Sequence, residues 1–515
     1  MTGLRIFAAC LFLLGLFARL RAVAFPDAEM FRSFPSEDGY LMLTVARNLA
    51  LGRGLTSAAG TLPTNGVQPL ATLLQAACFW LVGGDRAAAV RFLIVFSTAI
   101  AAATVFLVDR LGREVLGPGD GARAASGLGA CVWFTSPLAL SHSMNMLETG
   151  LYTAAVVMVA LFFARGHARG SPWPWPRCLA LGVLLGVSFW ARNDAVFLMA
   201  AAGLAHLATA GGGTSLRRRL AEAAAMAVAA AAVSLPWLLY NLLRFGSIVP
   251  TSGYVHLRTG ELAANLGAAT VALFEQATLV ASFEFDPVQH RGWFVAVCGL
   301  GLALIAARTA LRRRTWDPRR GPVMLMASLF TAGLLAFYVP FFDAPYFLRR
   351  YLFPLSPFFA LGWGALVFGL WTRLSASRAR LALPLLASLL LGNFVLRDGL
   401  LVRGPWRGGP LFRNVDWVES HVSAETWVGA FQSGTLGFFH DRTINLDGKV
   451  NPEAMSAIRK RRHQAYVLES PIQFVVDWAS ILEPWWRSDP ALGRHFQWVL
   501  RDPGDNFAVL GRRER

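Results

Sequence analysis

Long apolar stretches alternate with short polar ones along most of this chain. Eleven of the apolar stretches approach the roughly 20 residues that a helix needs to cross a bilayer. They cover residues 4–25, 88–108, 124–142, 149–164, 178–190, 195–210, 221–240, 292–307, 322–341, 352–371 and 381–396. The pattern predicts an all-α polytopic membrane protein with about 11 transmembrane helices.

Two of the apolar segments need a separate interpretation. Residues 4–25 have the length of a signal peptide, but they lack a small-residue cleavage site, and Arg19 and Arg21 follow their apolar centre. We therefore interpret them as an uncleaved first span. Residues 69–83 are shorter and bounded by glycine, which favours a re-entrant or interfacial helix. The alternative, a true span here, would reverse the orientation of every later loop.

Arginine clusters indicate which ends of the helices face the cytoplasm. They follow the second, fourth, sixth, eighth and tenth predicted spans, as at residues 110–123, 165–177, 217–219, 312–320 and 373–380. Cytoplasmic loops of membrane proteins collect Lys and Arg. The intervening polar segments, including 26–87 and everything after 396, are therefore predicted to lie outside a plasma (inner) membrane.

Composition supports this class. The 515 residues are 55% hydrophobic and only 15% charged, with a mean hydropathy of +0.46, which is outside the range of soluble domains. A net charge of +17 would suggest nucleic acid for a soluble protein, but here the arginine loops account for it, so no nucleic-acid partner is implied. The five cysteines lie in apolar stretches, which predicts neither disulfides nor a metal site.

The polar segment 35–69 contains the most informative residues. Glu37 and Asp38 are adjacent and precede a helical pattern over residues 39–51, with an apolar stripe typical of a helix lying on a membrane surface. Ser36 would cap this helix, and the helix dipole favours acids in its first turn. A capped helix start would also fix two carboxylates for catalysis, so the structural and catalytic interpretations are compatible.

These residues resemble a known family. The stretches EDGYLMLTVARNLALGRGLT and TNGVQPL look like the first external loop of GT-C glycosyltransferases, such as the protein O-mannosyltransferases and the bacterial aminoarabinose transferases. Weaker supporting stretches are NMLETGLY, ARNDAVFL, PWLLYNLLRFGSIVPTSG and RRYLFPLSPF. The resemblance implies transfer of a sugar from a polyprenyl-phosphate donor to a lipid, glycan or protein acceptor. The first acid, often Asp in such enzymes, is Glu37 here, which leaves the base open between Glu37 and Asp38.

The chemistry of such a transfer agrees with these residues. One carboxylate can remove the proton of the acceptor, and a single displacement then inverts the configuration of the sugar. The phosphate leaving group needs no second acid, because cations can stabilise its negative charge. Arg349 and Arg350 lie at the predicted membrane boundary, and the guanidinium fork matches phosphate oxygens. The alternative for both arginines is snorkelling to the interface.

Further residues on the same face are candidates for substrate binding. They are Asn65, Gln68, Glu148, Arg192, Asp194, Asn241, His256 and Tyr351. Each also has a structural alternative: Glu148 begins a helix, Arg192 and Asp194 can pair with each other, and the amides can cap loops or helices. No metal-binding motif is present, although a divalent cation is left open as a cofactor.

A change in composition near residue 397 predicts two domains, a transmembrane catalytic module over 1–396 with the external loop 26–87, and an extracytoplasmic domain over 397–515. In the second, TWVGAF, TINLDG and QAYVLE are interpreted as strands, with helices near 415–421 and 452–460. These elements predict a small α/β domain. It would either present the acceptor or act only as a scaffolding lid.

Other functions fit the sequence less well. A transporter or flippase of lipid-linked sugars is the main alternative, but such proteins commonly show internal repeats and broken helices with polar residues at the midplane. We find no repeat, and the acids of interest cluster at one predicted surface. A non-enzymatic envelope scaffold would not need the adjacent acids Glu37 and Asp38.

Overall fold

The computed structural model describes residues 2–117, 119–170, 172–209, 214–257, 262–279, 320–371 and 410–513. The described residues before 372 form sixteen helices, apart from short 3₁₀ turns. They are α1 (Thr2–Leu20), α2 (Asp27–Phe31), α3 (Glu37–Ala50), α4 (Pro69–Leu81), α5 (Arg86–Leu116), α6 (Asp120–Thr135), α7 (Pro137–Met144), α8 (Thr149–Ala168), α9 (Trp175–Ala191), α10 (Ala195–Thr209), α11 (Leu216–Phe245), α12 (Thr251–Val255), α13 (Leu262–Thr278), α14 (Gly321–Phe341), α15 (Leu348–Leu352) and α16 (Ser356–Trp371), as found in the described part of the chain. A two-stranded ribbon, β1 (Thr56–Ser57) and β2 (Leu62–Pro63), follows α3.

The prediction of a polytopic helical membrane protein is confirmed. Six helical segments of the described residues are long and apolar enough to cross a membrane, or seven if the bent pair α6–α7 counts as one span. The predicted stretches 292–307 and 381–396 lie outside the described residues. The stretch 124–142 covers the bent pair α6–α7, and each of the others overlaps a helix. Helices α9 and α10 are apolar but shorter than a typical span. The run at 69–83 forms α4, which at 13 residues is too short to cross a bilayer.

Close helix packing depends on small residues, as is common where lipid removes the hydrophobic drive for helix association. Helices α6 and α16 approach so closely that a Cβ on Gly364 would lie 2.0 Å from the carbonyl oxygen of Ala125. Nearby, the indole of Trp133 donates a hydrogen bond of 2.8 Å to Ser356 Oγ. This seam therefore has little room for a larger side chain.

One buried acid is an exception to the prediction that the acids of interest cluster at the predicted outer surface. Glu222, near the arginine-rich start of α11, is fully buried. It accepts hydrogen bonds from the Trp173 amide at 2.9 Å and from Arg218 Nε at 2.8 Å, and it lies 2.9 Å from His206 Nε2. These partners come from the loop before α9, from α11 itself and from α10, so this carboxylate has a structural explanation.

Residues 410–513, here called the C-terminal unit, form a five-stranded mixed sheet with helices. Its elements are α17 (Pro410–His421), β3 (Val428–Ala430), α18 (Ser433–Phe439), β4 (Thr443–Asn445), α19 (Pro452–Arg459), α20 (His463–Glu469), β5 (Phe474–Asp477), α21 (Ala479–Arg487), α22 (Pro490–His495), β6 (Phe496–Asp502) and β7 (Phe507–Arg512). The strand order is β4-β3-β5-β7-β6; β3 pairs in parallel with β4 and β5, and β7 pairs antiparallel with β5 and β6.

This unit has the small C-terminal sheet that the sequence predicts. TWVGAF and TINLDG contain β3 and β4, but the prediction of a strand for QAYVLE is wrong, because this segment forms α20. Its Gln, Ala, Leu and Glu favour helix and outweigh the strand preference of Tyr and Val. The proposed domain boundary at residue 397 lies outside the described residues.

The C-terminal unit packs directly on α3. Helix α18 places Phe438 5.0 Å from the ring of Tyr40, measured between centroids. Asp441 accepts hydrogen bonds from Arg47 at 3.1 Å and Arg86 at 2.6 Å. Helix α3 is therefore buried between α4 and α18, and it does not present the free apolar stripe of a helix lying on a membrane surface.

The α6–α16 seam gives the first prediction. Gly364→Ala should destabilise the protein by ~1–3 kcal/mol, the usual cost of overpacking, because its methyl group would overlap the Ala125 carbonyl. The matched control is Gly362→Ala in the same helix, where a Cβ meets no atom within 4 Å. Thermal unfolding in detergent should show a lower transition temperature for the first variant only. Equal transitions would contradict the packing described here.

Candidate functional site

The site is built at the start of α3. Ser36 caps this helix, as predicted, with its Oγ accepting a hydrogen bond of 3.1 Å from the Gly39 amide. The polar loop before α3 is tied to the end of α7, because the amide of Ser36 donates to the carbonyl of Asn145, the C-cap of α7, at 3.2 Å. Glu37 and Asp38 are thus fixed in the first turn of α3. Consecutive positions on a helix point in directions about 100° apart, so the two acids reach different surroundings.

Glu37 points towards the C-terminal unit. Its carboxylate accepts hydrogen bonds from the amides of Gly434 and Thr435, the latter at 2.9 Å, and from Thr435 Oγ1 at 2.5 Å. Burial raises the pKa of Glu37, although these hydrogen bonds oppose the shift. Both of its oxygens are thus engaged by α18.

Asp38 points in the other direction and meets two cations. Arg350 Nη1 donates to Asp38 Oδ2 at 3.0 Å, and Lys449 Nζ donates to Oδ1 at 3.1 Å. Burial alone would raise the pKa of this acid, but the charges of Lys449 and Arg350 outweigh burial and hold the pKa of Asp38 well below its usual range. Asp38 is therefore a carboxylate ion whose charge is fully compensated.

A cavity of about 550 Å³ opens beside Asp38. Its polar side is lined by Asp38, Gln68, Glu148, Arg192, Asp194, His256, Arg350 and Lys449. Its apolar side comes mainly from α10, α11, α14 and the segment after α11, and includes Val196, Phe197, Leu238, Ile248, Val249, Leu257 and Phe337. The space thus combines a charged end with an apolar wall.

A second group of charges lies in the same cavity. Arg192 is almost fully buried between α9 and α10, with Asp194 Oδ2 at 2.5 Å from its Nη2 and Glu148 Oε1 at 3.7 Å from its Nε. The hydroxyl of Tyr338 donates to Asp194 at 3.0 Å, and the ring of Tyr351 lies 4.6 Å from the Arg192 guanidinium. The predicted Arg192–Asp194 pair is present, and both residues also line the cavity.

The side chains of three polar residues contact the ring of Phe347. Arg350 Cζ lies 4.7 Å from its centroid and Lys449 Nζ 5.6 Å from it, while the His256 ring packs edge-on at 5.4 Å. His256 Nδ1 is 3.0 Å from Asp343 Oδ1, and its Nε2 has no hydrogen-bond partner among the described residues. Burial lowers the pKa of His256, which favours the neutral imidazole.

The structure brings most of the residues predicted from sequence into one place. Those that line the cavity are Asp38, Gln68, Glu148, Arg192, Asp194, His256, Arg350 and Tyr351. Four others do not line it and have their own partners: Glu37 bonds α18, Asn65 Oδ1 accepts from Thr251, Asn241 Nδ2 donates to the Ile248 carbonyl, and Arg349 Nε lies 3.2 Å from Glu275 Oε2.

Sequence reasoning missed Lys449, Tyr338 and Asp343. Tyr338 lies inside an apolar stretch and looked like part of a span. Lys449 had a signal, since it is one of only two lysines in a chain that otherwise uses arginine. No three His, Cys, Asp or Glu side chains come together as a metal site within the described ranges. A role for a divalent cation stays open.

Comparison with known proteins identifies the fold. No protein-family profile matches the sequence, and no curated protein matches it. Among solved structures, the chain is similar to ArnT from Cupriavidus metallidurans bound to undecaprenyl phosphate, with a TM-score of 0.61, 15% identity, and 99% of this chain and 98% of that chain covered. It is also similar to the oligosaccharyltransferase of Archaeoglobus fulgidus in the apo form, with a TM-score of 0.60, 13% identity, and 98% and 74% coverage. The chain therefore has the fold of the GT-C membrane glycosyltransferases, as the resemblance in sequence implied.

The Arg192 cluster gives the second prediction. Arg192→Ala should destabilise the protein by ~3–5 kcal/mol, because Asp194 and Glu148 would keep buried charges without a cation. The control is Arg165→Ala, which breaks a partly exposed pair with Glu114 and should cost less than ~1 kcal/mol. Unfolding of both variants in detergent should separate them clearly. A similar small effect at both positions would mean that the Arg192 cluster is hydrated.

Proposed function

We propose that this protein is a glycosyltransferase that uses a polyprenyl-phosphate-linked sugar. It transfers a hexosyl or pentosyl group to a lipid, glycan or protein acceptor at the outer face of the plasma (inner) membrane, with inversion. The observation that carries the proposal is the position of Asp38, which lies between two cations at the polar end of a cavity with an apolar wall.

The two sides of the cavity suit a lipid-linked donor. Val196, Ile248 and Leu257 belong to the apolar wall and are exposed, which gives a polyprenyl chain a lateral route from lipid. Arg350 and Lys449 suit the phosphate, because charge-assisted hydrogen bonds are the strong ones. The similar ArnT structure is bound to undecaprenyl phosphate, and an archaeal oligosaccharyltransferase structure of the same fold contains dolichol phosphate. Both observations support the proposal for this chain.

In the reaction, Asp38 takes the proton of the acceptor hydroxyl. The acceptor oxygen forms a bond to the anomeric carbon of the sugar, and the bond from that carbon to the phosphate oxygen breaks. The phosphate leaves with the electron pair, and Arg350 stabilises its negative charge. One carboxylate is enough, because the leaving group is not protonated.

Donor binding would also activate the base. The low pKa of Asp38 depends on the charges of Lys449 and Arg350. A phosphate that shares these cations weakens their hold on the carboxylate, and the pKa of Asp38 then rises towards the working range of a base. Glu37 is the weaker candidate for the base, because its oxygens already accept three hydrogen bonds from α18.

The helix directions support an outward-facing site. Glu148 at the start of α8 and Arg192 at the end of α9 are both at the cavity. The opposite ends of long helices carry basic residues, Arg165 in the last turn of α8 and residues 217–219 in the first turn of α11. By the positive-inside rule those ends are cytoplasmic. The cavity and the C-terminal unit would then face outward.

Asp38→Asn tests the proposed base. Turnover should fall by ~10² to 10⁴, measured as release of free polyprenyl phosphate from a labelled donor in the presence of an envelope extract. Binding of polyprenyl phosphate should become tighter, because Arg350 and Lys449 lose a competing anion. Asp27→Asn, an exposed acid paired with Arg91, is the matched control and should leave both quantities unchanged.

Two other outcomes would contradict the proposal. Unchanged release in Asp38→Asn would remove Asp38 from catalysis, and Glu148 would be the next acid to test. A wild-type protein that moves the lipid-linked sugar between leaflets of a vesicle without ever releasing polyprenyl phosphate would be a transporter.

Arg350 and Arg349 provide a further matched pair. Arg350 lines the cavity, whereas Arg349 pairs with Glu275 outside it. Arg350→Ala should weaken donor use by ~10-fold or more, because a hydrogen bond to a charged group is worth ~1.5–3 kcal/mol. Arg349→Ala should change the Michaelis constant for donor much less. Full activity in the double variant would show that both arginines act only at the membrane interface.

A further inference from the structure

Lys449 belongs to the C-terminal unit, yet its ammonium group lies in the cavity formed by the helices. Lys449 Nζ is 3.1 Å from Asp38 Oδ1 and 3.6 Å from Asp447 Oδ2. Arg350 bonds the other oxygen of Asp38, and both cations contact the same Phe347 ring. The two positive groups are therefore close enough together to bind one phosphate.

The turn that carries Lys449 is held by its own hydrogen bonds. Gly448 has a φ of 84°, a conformation that favours glycine, and its amide donates to Asn445 Oδ1 at 3.0 Å. The Lys449 amide donates to Asp447 Oδ1 at 2.8 Å, and Asn445 Nδ2 donates to Ser433 Oγ at 2.8 Å. The side chain thus extends from a preorganised turn, which lowers the entropy cost of ligand binding.

The C-terminal unit contacts the loop 26–87 at two places, one before this turn and one at Lys449 itself. At one point the Glu37 carboxylate accepts from Gly434 and Thr435, and a Cβ on Gly434 would lie 2.0 Å from the Glu37 carbonyl oxygen. At the other, a Cβ on Gly66 would lie 1.8 Å from the Lys449 carbonyl oxygen. These two backbone contacts determine how far Lys449 reaches towards Asp38.

We infer that the C-terminal unit completes the donor site: Lys449 binds the phosphate of the polyprenyl donor, and Glu37 is the positioning residue that holds this unit in place. The inference rests on the proposed function, since the phosphate belongs to the proposed donor. Glu37 thus acts on the reaction through Lys449 and does not take the acceptor proton.

Direct binding tests the role of Lys449 without turnover. The probe is a long-chain polyprenyl phosphate, with the uncharged polyprenol of the same length as reference, bound to the purified full chain in detergent. Lys449→Gln should weaken binding of the phosphate by about 10- to 100-fold and leave binding of polyprenol unchanged. Lys449→Arg should restore most of the affinity. Lys460→Gln, at the exposed second lysine of the chain, is the matched control and should have no effect.

Glu37→Gln and Thr435→Val test the positioning role. Each weakens the contact between α3 and α18, so each should raise the Michaelis constant for donor and speed hydrogen exchange at residues 433–451, with a small change in kcat. The double variant should be little worse than Glu37→Gln alone, because both substitutions disrupt the same contact. If Glu37 were the base, Glu37→Gln would lower kcat by ~10² to 10⁴ without changing hydrogen exchange. Thr435→Val would then change neither quantity.

The outcomes separate this inference from the proposed function. If the wild-type protein binds the phosphate no better than polyprenol, the proposed function fails and this inference fails with it. If the wild-type protein prefers the phosphate but Lys449→Gln binds it equally well, the proposed function stands and the role of Lys449 is wrong. A large loss of kcat in Glu37→Gln without faster exchange would overturn the positioning role.

Discussion

Burial of the Asp38 charge is the constraint on which the rest of the site depends. A carboxylate taken out of water is costly unless cations compensate it, and here Arg350 and Lys449 each engage one of its oxygens. The three residues come from α3, α15 and the C-terminal unit. A charged side chain from any one of these segments would be buried without a partner if the others were absent. The site therefore forms only when all three segments are assembled.

The two charge clusters of the cavity have different consequences. Arg192, Asp194 and Glu148 form a group in which each charge has a partner from the helices, and Tyr338 and Tyr351 complete it. The cluster of Asp38, Arg350 and Lys449 faces the same space and contains two cations on one carboxylate. A bound phosphate can exchange with Asp38 as their partner at little electrostatic cost. This arrangement of two cations on one carboxylate therefore suits the proposed anionic ligand.

The position of α3 explains why two adjacent acids have different surroundings. The helix is capped by Ser36 and covered by α18, so Glu37 meets backbone donors of the C-terminal unit while Asp38 meets the cavity. Rotation of about 100° per residue makes this division unavoidable once α18 is in place. A surface helix, as the amphipathic pattern suggested, would have left both acids in water with ordinary ionisation.

The sequence by itself determined the helical membrane class, the positions of the apolar helices, the cap at Ser36 and the segment that contains the site, because these depend on local periodicity and local hydrogen bonding. It also indicated Arg350, Arg192 and Asp194, because the alternation of the arginine clusters places these three charges on the same predicted face as Glu37 and Asp38. It misassigned residues 464–469, where strand and helix preferences are mixed. Only the tertiary structure decided which acid faces the cavity and which faces α18. The partners of Asp38 lie 312 and 411 residues away along the chain, and no local pattern encodes contacts over such distances.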